Sequence, residues 1–342
     1  MMGFDGRVAL VTGAGRGLGY AYAEDLAKRG ASVVVHDVGA DGDGTGRDPR
    51  VADAAADLLR REGGRASPDS GPIGTREECV ALVGRILAGH GRLDIVIHNA
   101  GWVGYEPIEE LSPGFLRRMT GLGIDTPLWL AQAAWPVMRR QRFGRILLTT
   151  SDRAIYPEYA QAGLAAYAAA KMAAIGIVNV LAREGAADGI LVNAISPVAK
   201  TRMWGVEGEP DELRPDAVAP GALYLVSPDS RASGWVLRAS NGQFVATRAA
   251  EAEGVDYPRD LRAVAAADAE EVAAAWPSIA AAVAEARTGD ACPRLPRQRP
   301  SADGDPSLAP AFARPGRGPP DARWPARPRP ARQPSSTPGG EK

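Results

Sequence analysis

Cysteine is almost absent from this sequence: Cys79 and Cys292 are the only two among 342 residues. Cys79 falls in a segment with helical periodicity and Cys292 in a proline-rich tail, so a disulfide framework is not indicated. Neither has the spacing of a metal ligand set. We therefore predict a protein of a reducing cytoplasm, without a metal site.

Long apolar runs are also missing. Met1 leads through Gly3–Arg7 directly into an apolar strand, without the charged and then apolar pattern of a signal sequence. No later run approaches the ~20 residues needed to span a bilayer. The formal net charge is −1, which gives no electrostatic reason to expect nucleic acid or a membrane as a partner.

Histidine occurs only three times, as His36, His90 and His98. We expect His36 to be buried in a strand, and His90 to end a helix, where a cation suits the helix dipole. His98 stands at the end of a strand. None of the three has the neighbours that an acid–base centre requires, so the chemistry is expected to lie elsewhere.

The sequence does contain an alternation of short β-rich apolar runs with longer helical stretches, which predicts an α/β fold with a doubly wound parallel sheet. The expected strands are Val8–Thr12, Ser32–His36, Arg65–Ser67, Leu93–His98, Gly144–Thr149, Leu191–Ser196 and Trp235–Ala239. The expected helices are Gly17–Arg29, Arg50–Glu62, Thr75–Gly89, Pro127–Arg142, Ala160–Ala187 and Pro215–Val226. Each helix is long enough to cross back over the sheet in a right-handed connection.

The composition changes toward the C-terminus. Residues 1–248 hold the predicted sheet, and residues 249–288 form a helical extension with a helix near Ala267–Ala286 that Pro277 should break or kink. Residues 289–342 are rich in proline and arginine and nearly free of large aliphatic side chains. Such a segment cannot bury a core, so we predict a disordered tail.

A glycine-rich turn stands where the first strand meets the first helix, with the sequence Thr12-Gly13-Ala14-Gly15-Arg16-Gly17-Leu18-Gly19. Glycine lets the backbone approach a pyrophosphate, and the helix N-terminus offers free N–H groups to the anion. Asp37 ends the next strand, where a carboxylate can accept the ribose hydroxyls of NAD and repel the extra phosphate of NADP. An alternative role for Asp37 is to cap the loop Gly39–Gly46 without binding a cofactor. NADP also remains a possible cofactor, because Arg16 and Arg47 could bind its additional phosphate.

Tyr167 and Lys171 are four residues apart in a predicted helix, so their side chains share one face. An ammonium beside a phenol favours the phenolate and lowers the pKa of the tyrosine, which can then exchange a proton with an alcohol. Four polar residues and one proline end or follow five different strands, and parallel strands present the residues at their carboxyl ends at one edge. These residues are Thr12, Asp37, Asn99, Ser151 and Pro197.

In chain order, these motifs resemble those of the short-chain dehydrogenase/reductase family, over roughly Phe4 to Phe244. The motifs are Thr12–Gly19, His98-Asn99-Ala100-Gly101, Ser151, Tyr167 with Lys171, and Asn193–Pro197. Shorter stretches resemble the dehydrogenase unit of the peroxisomal multifunctional enzyme of β-oxidation and its bacterial relatives. These stretches are Phe143–Ile146, Ala133–Trp135, Arg202-Met203 and Val218–Pro220.

The resemblance implies a Rossmann fold, NAD as cofactor, a homodimer or homotetramer, and a small or carrier-bound substrate such as a 3-hydroxyacyl thioester or a steroid-like alcohol. It makes Tyr167 the general acid/base, Lys171 its partner and ribose anchor, and Ser151 the hydrogen-bond partner of the substrate oxygen. It also implies a set of cofactor-binding residues: Gly13, Arg16, Gly17, Leu18, Gly19 and Asp37 toward the pyrophosphate and ribose, Asp69 at the adenine amine, Asn99, Ala100 and Gly101 along the ribose path, and Pro197 with Thr201 at the nicotinamide.

Two positions depart from the family pattern. Gly123 falls where most members have a catalytic Asn, and Ser151 is three residues further from Tyr167 than usual. We place the extra residues within Pro157–Ala166; if they lay elsewhere, Ala154 would take the position of the serine.

Three functions are compatible with these residues. The leading one is hydride transfer between NAD and a secondary alcohol or ketone, with the substrate chosen by Gly101–Leu111, Tyr156–Leu164 and Met203–Pro215. Gly123 and the longer Ser151–Tyr167 segment motivate a dinucleotide-binding sensor with little turnover. A third possibility is an epimerase or dehydratase that uses the bound cofactor.

Overall fold

The apolar runs form a single eight-stranded sheet in the computed structural model, which describes residues 2–201 and 210–285. Across the sheet the strand order is β3-β2-β1-β4-β5-β6-β7-β8, and β1 to β7 pair in parallel. This order confirms the predicted doubly wound parallel sheet. The strands are β1 (Val8–Thr12), β2 (Ser32–His36), β3 (Arg65–Asp69), β4 (Ile95–His98), β5 (Gly144–Thr149), β6 (Ile190–Val198), β7 (Val236–Ser240) and β8 (Gln243–Thr247).

The eighth strand is the one the sequence analysis missed. β8 runs antiparallel to β7, and the two are joined by a turn in which Asn241 and Gly242 both have positive φ, at 48° and 73°. Such a pair is a strong signal for a two-residue hairpin. The residues of β8 are mostly exposed, so the strand lacks the buried apolar run that identified the other seven.

Helices cover both faces of the sheet. Between α4 and α5 the chain continues through a π-helical turn, Gly121–Asp125, whose two glycines hid the helical run from the sequence analysis. The helices of the described residues are α1 (Gly17–Lys28), α2 (Arg50–Arg61), α3 (Arg76–His90), α4 (Pro113–Thr120), α5 (Thr126–Gln141), α6 (Asp152–Ile155), α7 (Ala165–Glu184), α8 (Ala219–Val226) and α9 (Ala269–Glu285).

Alternate residues of the strands face the two helical layers. In β1, Ala9 and Val11 pack into the cluster that contains α1, α2 and α8, whereas Val8 and Leu10 pack into the cluster that contains α3, α5 and α7. Both faces of β1 are therefore buried, which explains why the strand is a continuous apolar run rather than an alternating one.

Helix α7 begins at Ala165 and not at Ala160 as predicted. Gly163 has a φ of +83°, a conformation outside the helical region that glycine adopts without strain. The segment between Tyr156 and Leu164 is consequently a short 3₁₀ turn and a loop. It lies within the stretch where we expect the extra residues between Ser151 and Tyr167, and their position stays a prediction.

The chain divides into two units, Met1–Glu251 and Ala252–Lys342. The first contains the sheet and α1–α8. In the described part of the second, α9 runs through Pro277 without interruption, so a break at that proline is wrong, whereas a kink there stays a prediction. The predicted tail, 289–342, lies outside the described residues.

Asp94 closes the edge of the sheet opposite to the candidate site. It is fully buried, accepts the backbone N–H of Val8 at 2.9 Å, and pairs with Arg7 and Arg92. Burial alone would raise the pKa of this carboxyl group, but the hydrogen bonds from Arg92, Val8 and Arg7 outweigh burial and hold the pKa below its ordinary value.

We predict that Asp94→Asn lowers the free energy of unfolding by about 2 kcal/mol at pH 7, since three donors lose a charged acceptor while both arginines keep some contact with water. A depressed carboxyl pKa stabilises the fold above the unfolded pKa of ~3.9 and ceases to do so as the pH falls through the folded pKa. Urea unfolding should therefore show that the free energies of unfolding of the two proteins differ by a constant amount from pH 7 down to about pH 4. Between about pH 4 and pH 3 this difference should shrink. Equal stability at pH 7 would contradict this role.

Candidate active site

The glycine-rich turn leaves β1 at Thr12 and enters α1 at Gly17. Gly13 has a φ of +63°, and a Cβ atom there would lie 2.9 Å from the Cα of Ala100. A Cβ at Gly19 would collide with the carbonyl oxygen of Gly13. Glycine is thus required at both positions by close backbone approach, and the turn keeps the N-terminus of α1 open to an anion.

Asp37 lies just beyond β2 and bonds to the same turn. One of its carboxylate oxygens accepts the N–H of Gly15 at 2.9 Å, and the other accepts the N–H of Gly39 at 2.8 Å. The residue therefore caps the loop that follows it, and it also lines the cavity beside the glycine turn. Each carboxylate oxygen has a second lone pair, so these bonds do not prevent it from accepting a hydroxyl group.

His98 links the glycine turn to the π-helical turn. Thr12 Oγ accepts the N–H groups of Asn99 and Ala100, each at 3.1 Å, so its own proton is available to His98 Nδ1 at 3.0 Å. The other ring nitrogen, Nε2, must then carry the proton that it donates to the carbonyl oxygen of Leu122 at 3.0 Å. Burial lowers the pKa of His98 to about 4. The ring is accordingly neutral at physiological pH and acts here as a connector between two loops.

Asn99 holds the glycine turn from the other side. Its side-chain amide donates to the carbonyl oxygens of Thr12 and Gly13, at 3.3 and 3.1 Å. Ala100 and Gly101 follow it along the same cavity wall. The predicted adenosine-side residues are thereby brought together with the turn.

Asp69, like Gly19, is a predicted cofactor-binding residue that does not line either cavity. Its carboxylate forms two hydrogen bonds with Arg85, at 2.7 and 2.9 Å, and accepts the N–H of Gly71. Burial would raise the pKa of Asp69, but these bonds outweigh it and the pKa is lowered. Its role at an adenine amine stays a prediction. His36, expected to be buried, is buried, and it also lines the cavity while donating Nε2–H to the carbonyl oxygen of Gly71.

Ser151, Tyr167 and Lys171 meet in a second cavity, at the carboxyl end of β5. Ser151 is the N-terminal cap of α6, where its hydroxyl accepts the N–H of Arg153 at 3.3 Å. Its side chain lies close enough to the phenol of Tyr167, which is 8% exposed, to lower the pKa of that phenol. The Lys171 ammonium donates to the carbonyl oxygen of Thr149 at 3.1 Å and lies 5.9 Å from the centroid of the Tyr167 ring. Ala154 is absent from the lining of this cavity, so the structure supports Ser151 as the serine of the motif.

Burial dominates the pKa values of the tyrosine–lysine pair. It lowers the pKa of Lys171 to about 8. It raises the pKa of Tyr167 above its ordinary value, although the side chain of Ser151 and the charge of Arg153 act in the opposite direction. The predicted net lowering of the Tyr167 pKa is wrong for the structure described, because desolvation of the phenol outweighs the effects of Ser151 and Arg153.

Gly123 occupies the π-helical turn that faces α7. A Cβ atom at this position would lie 2.7 Å from the Cβ of Ala170. A side chain here would force the turn away from α7, which carries Tyr167 and Lys171. Glycine at position 123 is therefore required by the packing of this turn on α7, while its match to the family's Asn position stays a prediction.

The two cavities form one crevice. The cavity beside the glycine turn measures about 220 Å³ and the cavity at Tyr167 about 120 Å³, each below the roughly 300 Å³ of a typical small-molecule site. They share five wall residues and so join into a longer site. The shared residues are Leu18, Asn99, Gly101, Trp102 and Thr201.

Thr201 and Pro197 lie where the sequence predicts them, on the wall of the cavity at Tyr167. Within the described part of the chain, the buried hydroxyls of Thr201 and Thr149 have no hydrogen-bond partner. Both residues line the crevice, so a polar ligand there could satisfy them. Most of the predicted substrate segment Met203–Pro215, together with Arg202, lies outside the described residues.

A wider hollow lies between α1 and α2, with a volume of about 580 Å³. It is open to solvent, and its walls carry none of Ser151, Tyr167 and Lys171. The smaller crevice is therefore the better candidate for chemistry.

Comparison with known proteins adds to this geometry. A family model for short chain dehydrogenases matches residues 7–211. Peroxisomal multifunctional enzyme type 2 of Drosophila melanogaster is 36% identical over 244 residues, which cover 70% of this chain and 40% of the fly enzyme. Peroxisomal multifunctional enzyme type 2 of Mus musculus and a peroxisomal hydratase-dehydrogenase-epimerase of Saccharomyces cerevisiae are covered over 32% and 27% of their length. The chain thus spans less than half the length of each of these three relatives.

Two solved structures extend the likeness to the fold. A short chain dehydrogenase from Mycobacterium avium has a TM-score of 0.69 at 28% identity, over 81% of this chain and 95% of that protein. A 7α-hydroxysteroid dehydrogenase complexed with NADH and 7-oxo glycochenodeoxycholic acid has a TM-score of 0.62 at 30% identity, over 70% and 95% of the two chains. The family model covers more than half of this chain, and Ser151, Tyr167 and Lys171 share one cavity. This chain belongs to the short-chain dehydrogenase family, whose members are oxidoreductases that act on CH–OH groups with a nicotinamide cofactor.

Proposed function

We propose that this protein transfers a hydride between NAD and a secondary alcohol or ketone. The observation that carries the proposal is the joined crevice: the cavity with Ser151, Tyr167 and Lys171 shares its wall with the cavity at the glycine turn. A dinucleotide laid along that crevice could thus reach from the turn to the catalytic side chains.

The described residues fit such a cofactor. The cradle of Gly13, Gly17 and Gly19 would hold the pyrophosphate, Asp37 would accept ribose hydroxyls, and the unpaired Thr201 hydroxyl would meet the nicotinamide end. The carboxylate of Asp37 favours NAD, since it would repel the additional phosphate of NADP. When bound, the oxidised nicotinamide ring accepts the hydride and adds a positive charge to the crevice.

The side chains of the chain itself handle the proton. In the oxidation direction, Tyr167 takes the hydroxyl proton as the hydride leaves the carbinol carbon, and in reduction it returns that proton to the new alkoxide oxygen. Ser151, which lines the same cavity as the phenol, donates to the substrate oxygen and orients it. Lys171, with a pKa of about 8, carries a positive charge below that pH and counters the raised pKa of the phenol.

The substrate class is the finer part of the proposal. The resemblance to the dehydrogenase unit of the multifunctional enzyme favours a 3-hydroxyacyl thioester, and the likeness to a hydroxysteroid dehydrogenase favours a cyclic secondary alcohol. Trp102 and Val103 give the cavity at Tyr167 an apolar side, which suits either substrate. A sensor with little turnover, or an epimerase or dehydratase, would use the same crevice, and the experiment below separates them from a dehydrogenase.

Tyr167→Phe should abolish turnover because it removes the only atom of that side chain that exchanges a proton. Wild-type protein mixed with NAD and a panel of 3-hydroxyacyl thioesters and cyclic secondary alcohols should produce reduced nicotinamide, measured by its absorbance. The variant should lower kcat by roughly 10²–10⁴-fold with nearly unchanged NAD affinity. Tyr224→Phe, at a half-exposed tyrosine of α8, is the control. Tight NAD binding without wild-type turnover would instead favour the sensor.

Asp37→Ala should weaken NAD binding far more than NADP binding. The loss of a charge-assisted hydrogen bond to a ribose hydroxyl should lower the affinity for NAD by roughly 10–100-fold. For NADP this loss is offset, because the variant also removes the repulsion between Asp37 and the additional phosphate. Dissociation constants from calorimetry test this, with Asp43→Ala, an exposed carboxylate of the following loop, as the control. If the affinities for NAD and NADP fell equally, Asp37 would act only as the cap of the loop that follows it.

We also propose a homodimer or homotetramer that uses α5 and α7. The segment Ala165–Asp188 is long and apolar enough to cross a membrane by length and composition, but a core helix passes the same test, and α7 packs on the sheet. Its outer side exposes Met172 and Val180, at 47% and 55%, as an interface helix would. Sedimentation equilibrium should give a dimer or tetramer that Met172→Glu with Val180→Glu dissociates. A wild-type monomer at all concentrations would refute it.

The proposed location is the cytoplasm, because a sequence with only two cysteines suits a reducing compartment. Several relatives are named as peroxisomal enzymes. Imaging of a tagged full-length chain decides between the two compartments.

A further inference from the structure

Asp152 follows Ser151 directly and is tied to two strands on the far side of β5. Its Oδ1 accepts the hydroxyl of Ser196, near the end of β6, at 2.7 Å. Its two oxygens also receive Arg238 of β7, through Nη2 at 2.8 Å and Nε at 3.0 and 3.1 Å. The side chains of Asp152 and Arg238 are 15% and 29% exposed. Such a partly sequestered bidentate pair is stronger than an ordinary surface ion pair.

Arg238 reaches the following turn as well. Its guanidinium carbon lies 4.4 Å from the centroid of the Tyr156 ring. The rings of Tyr156 and Tyr159 meet edge to face at 6.1 Å. Arg238 therefore contacts the segment 152–159 at Asp152 and at Tyr156, and Tyr159 packs on the second of these contacts.

The backbone of this segment is bonded mainly to itself. Arg153 N–H donates to the Ser151 hydroxyl, Ala154 N–H to the Ser151 carbonyl and Tyr156 N–H to the Asp152 carbonyl. These bonds fix the shape of the turn but not its place on the sheet. The bonds from Asp152 to Ser196 and Arg238 supply that placement, and the last backbone bond to β6 before the segment is Thr150 N–H to the Ile195 carbonyl, at 2.8 Å.

We propose that Arg238 is a positioning residue which, through Asp152, holds the Ser151 hydroxyl against Tyr167 and fixes the 151–159 segment as one wall of the substrate cavity. The catalytic half of this inference rests on the proposed dehydrogenase function. The structural half does not, since it concerns the order of the segment alone.

Arg238 also balances a charge. Asp152 lines the same cavity as Tyr167, and an unpaired carboxylate there would oppose formation of a phenolate. The other ionisable groups near the phenol are Lys171 on its own helix, Arg153 on α6 and Tyr105 on the loop before α4. Removal of Arg238 should thus move the acidic limb of the kcat–pH profile for alcohol oxidation to higher pH, because the general base Tyr167 would be protonated over a wider range, an effect that loosened packing alone would not produce.

The experiment compares Arg238→Met, Arg238→Lys, Asp152→Asn and the double variant Asp152→Asn/Arg238→Met in the full chain. Arg92→Met is the matched control, because it breaks an equally short bidentate Arg–Asp pair at the opposite edge of the sheet. The first readout is amide hydrogen exchange, which needs no substrate. Arg238→Met should speed exchange at residues 153–156 by about tenfold or more, and Arg92→Met should leave it unchanged.

The second readout is steady-state kinetics with the best alcohol of the panel. Arg238→Met should lower kcat by about tenfold, as expected when a reacting group is misplaced, with the Kd for NAD within about twofold of wild type. Arg238→Lys should recover part of the loss. The kcat of the double variant should be no lower than that of Arg238→Met. Its pH profile should return toward that of the wild type, because Asp152→Asn removes the carboxylate that Arg238→Met leaves unpaired.

Unchanged exchange at residues 153–156 in Arg238→Met would overturn the structural half. If wild-type enzyme turns over but Arg238→Met keeps the wild-type kcat and pH profile, the catalytic half is overturned. Wild-type protein without any turnover would refute the proposed function instead, while hydrogen exchange would still decide the structural half.

Discussion

The parallel register of the central strands is the constraint on which the site depends. Thr12 of β1 lies opposite both His36 of β2 and His98 of β4, and Thr149 of β5 lies opposite Ile195 of β6. Because the strands end in step, the residues that follow them emerge at one edge. The glycine turn, Asp37 and Ser151 meet there although they are far apart in the chain. A one-residue slip in any pair would turn side chains to the opposite face.

Hydrogen bonds then convert this shared edge into a fixed crevice. The Thr12–His98–Leu122 chain connects the glycine turn to the π-helical turn, and that turn packs on the helix that carries Tyr167 and Lys171. The Asp152–Arg238 pair connects the opposite wall of the crevice, the segment 151–159, to β7. Both connections use buried or half-buried polar groups, which are costly when unpaired and therefore favour one geometry. The same burial lowers the pKa of Lys171 and raises that of Tyr167, so the site relies on close neighbours to make the phenol reactive.

Most strands and the residues at their ends could be predicted from the sequence, because buried parallel strands are continuous apolar runs and their polar successors are easily recognised. Helix positions were less predictable near glycine. The glycines of the π-helical turn around Gly123 lower the helical signal of a segment that is helical, and α7 begins only after Gly163, whose positive φ is not helical. Partnerships between distant side chains were not predictable. Asp69 is bonded by Arg85, and Asp152 is bonded by Arg238, 86 residues away, and neither pairing leaves a periodic signal.

The central claim is that one crevice holds a nicotinamide dinucleotide along its length and presents its reactive end to Tyr167. A crystal structure of the protein with NAD tests it most directly. The account predicts the pyrophosphate at the Gly13–Gly19 turn, a ribose on Asp37 and the nicotinamide in the cavity lined by Thr201, Ser151 and Tyr167. A nicotinamide ring bound outside that cavity, or a Tyr167 hydroxyl turned away from it, would contradict the account.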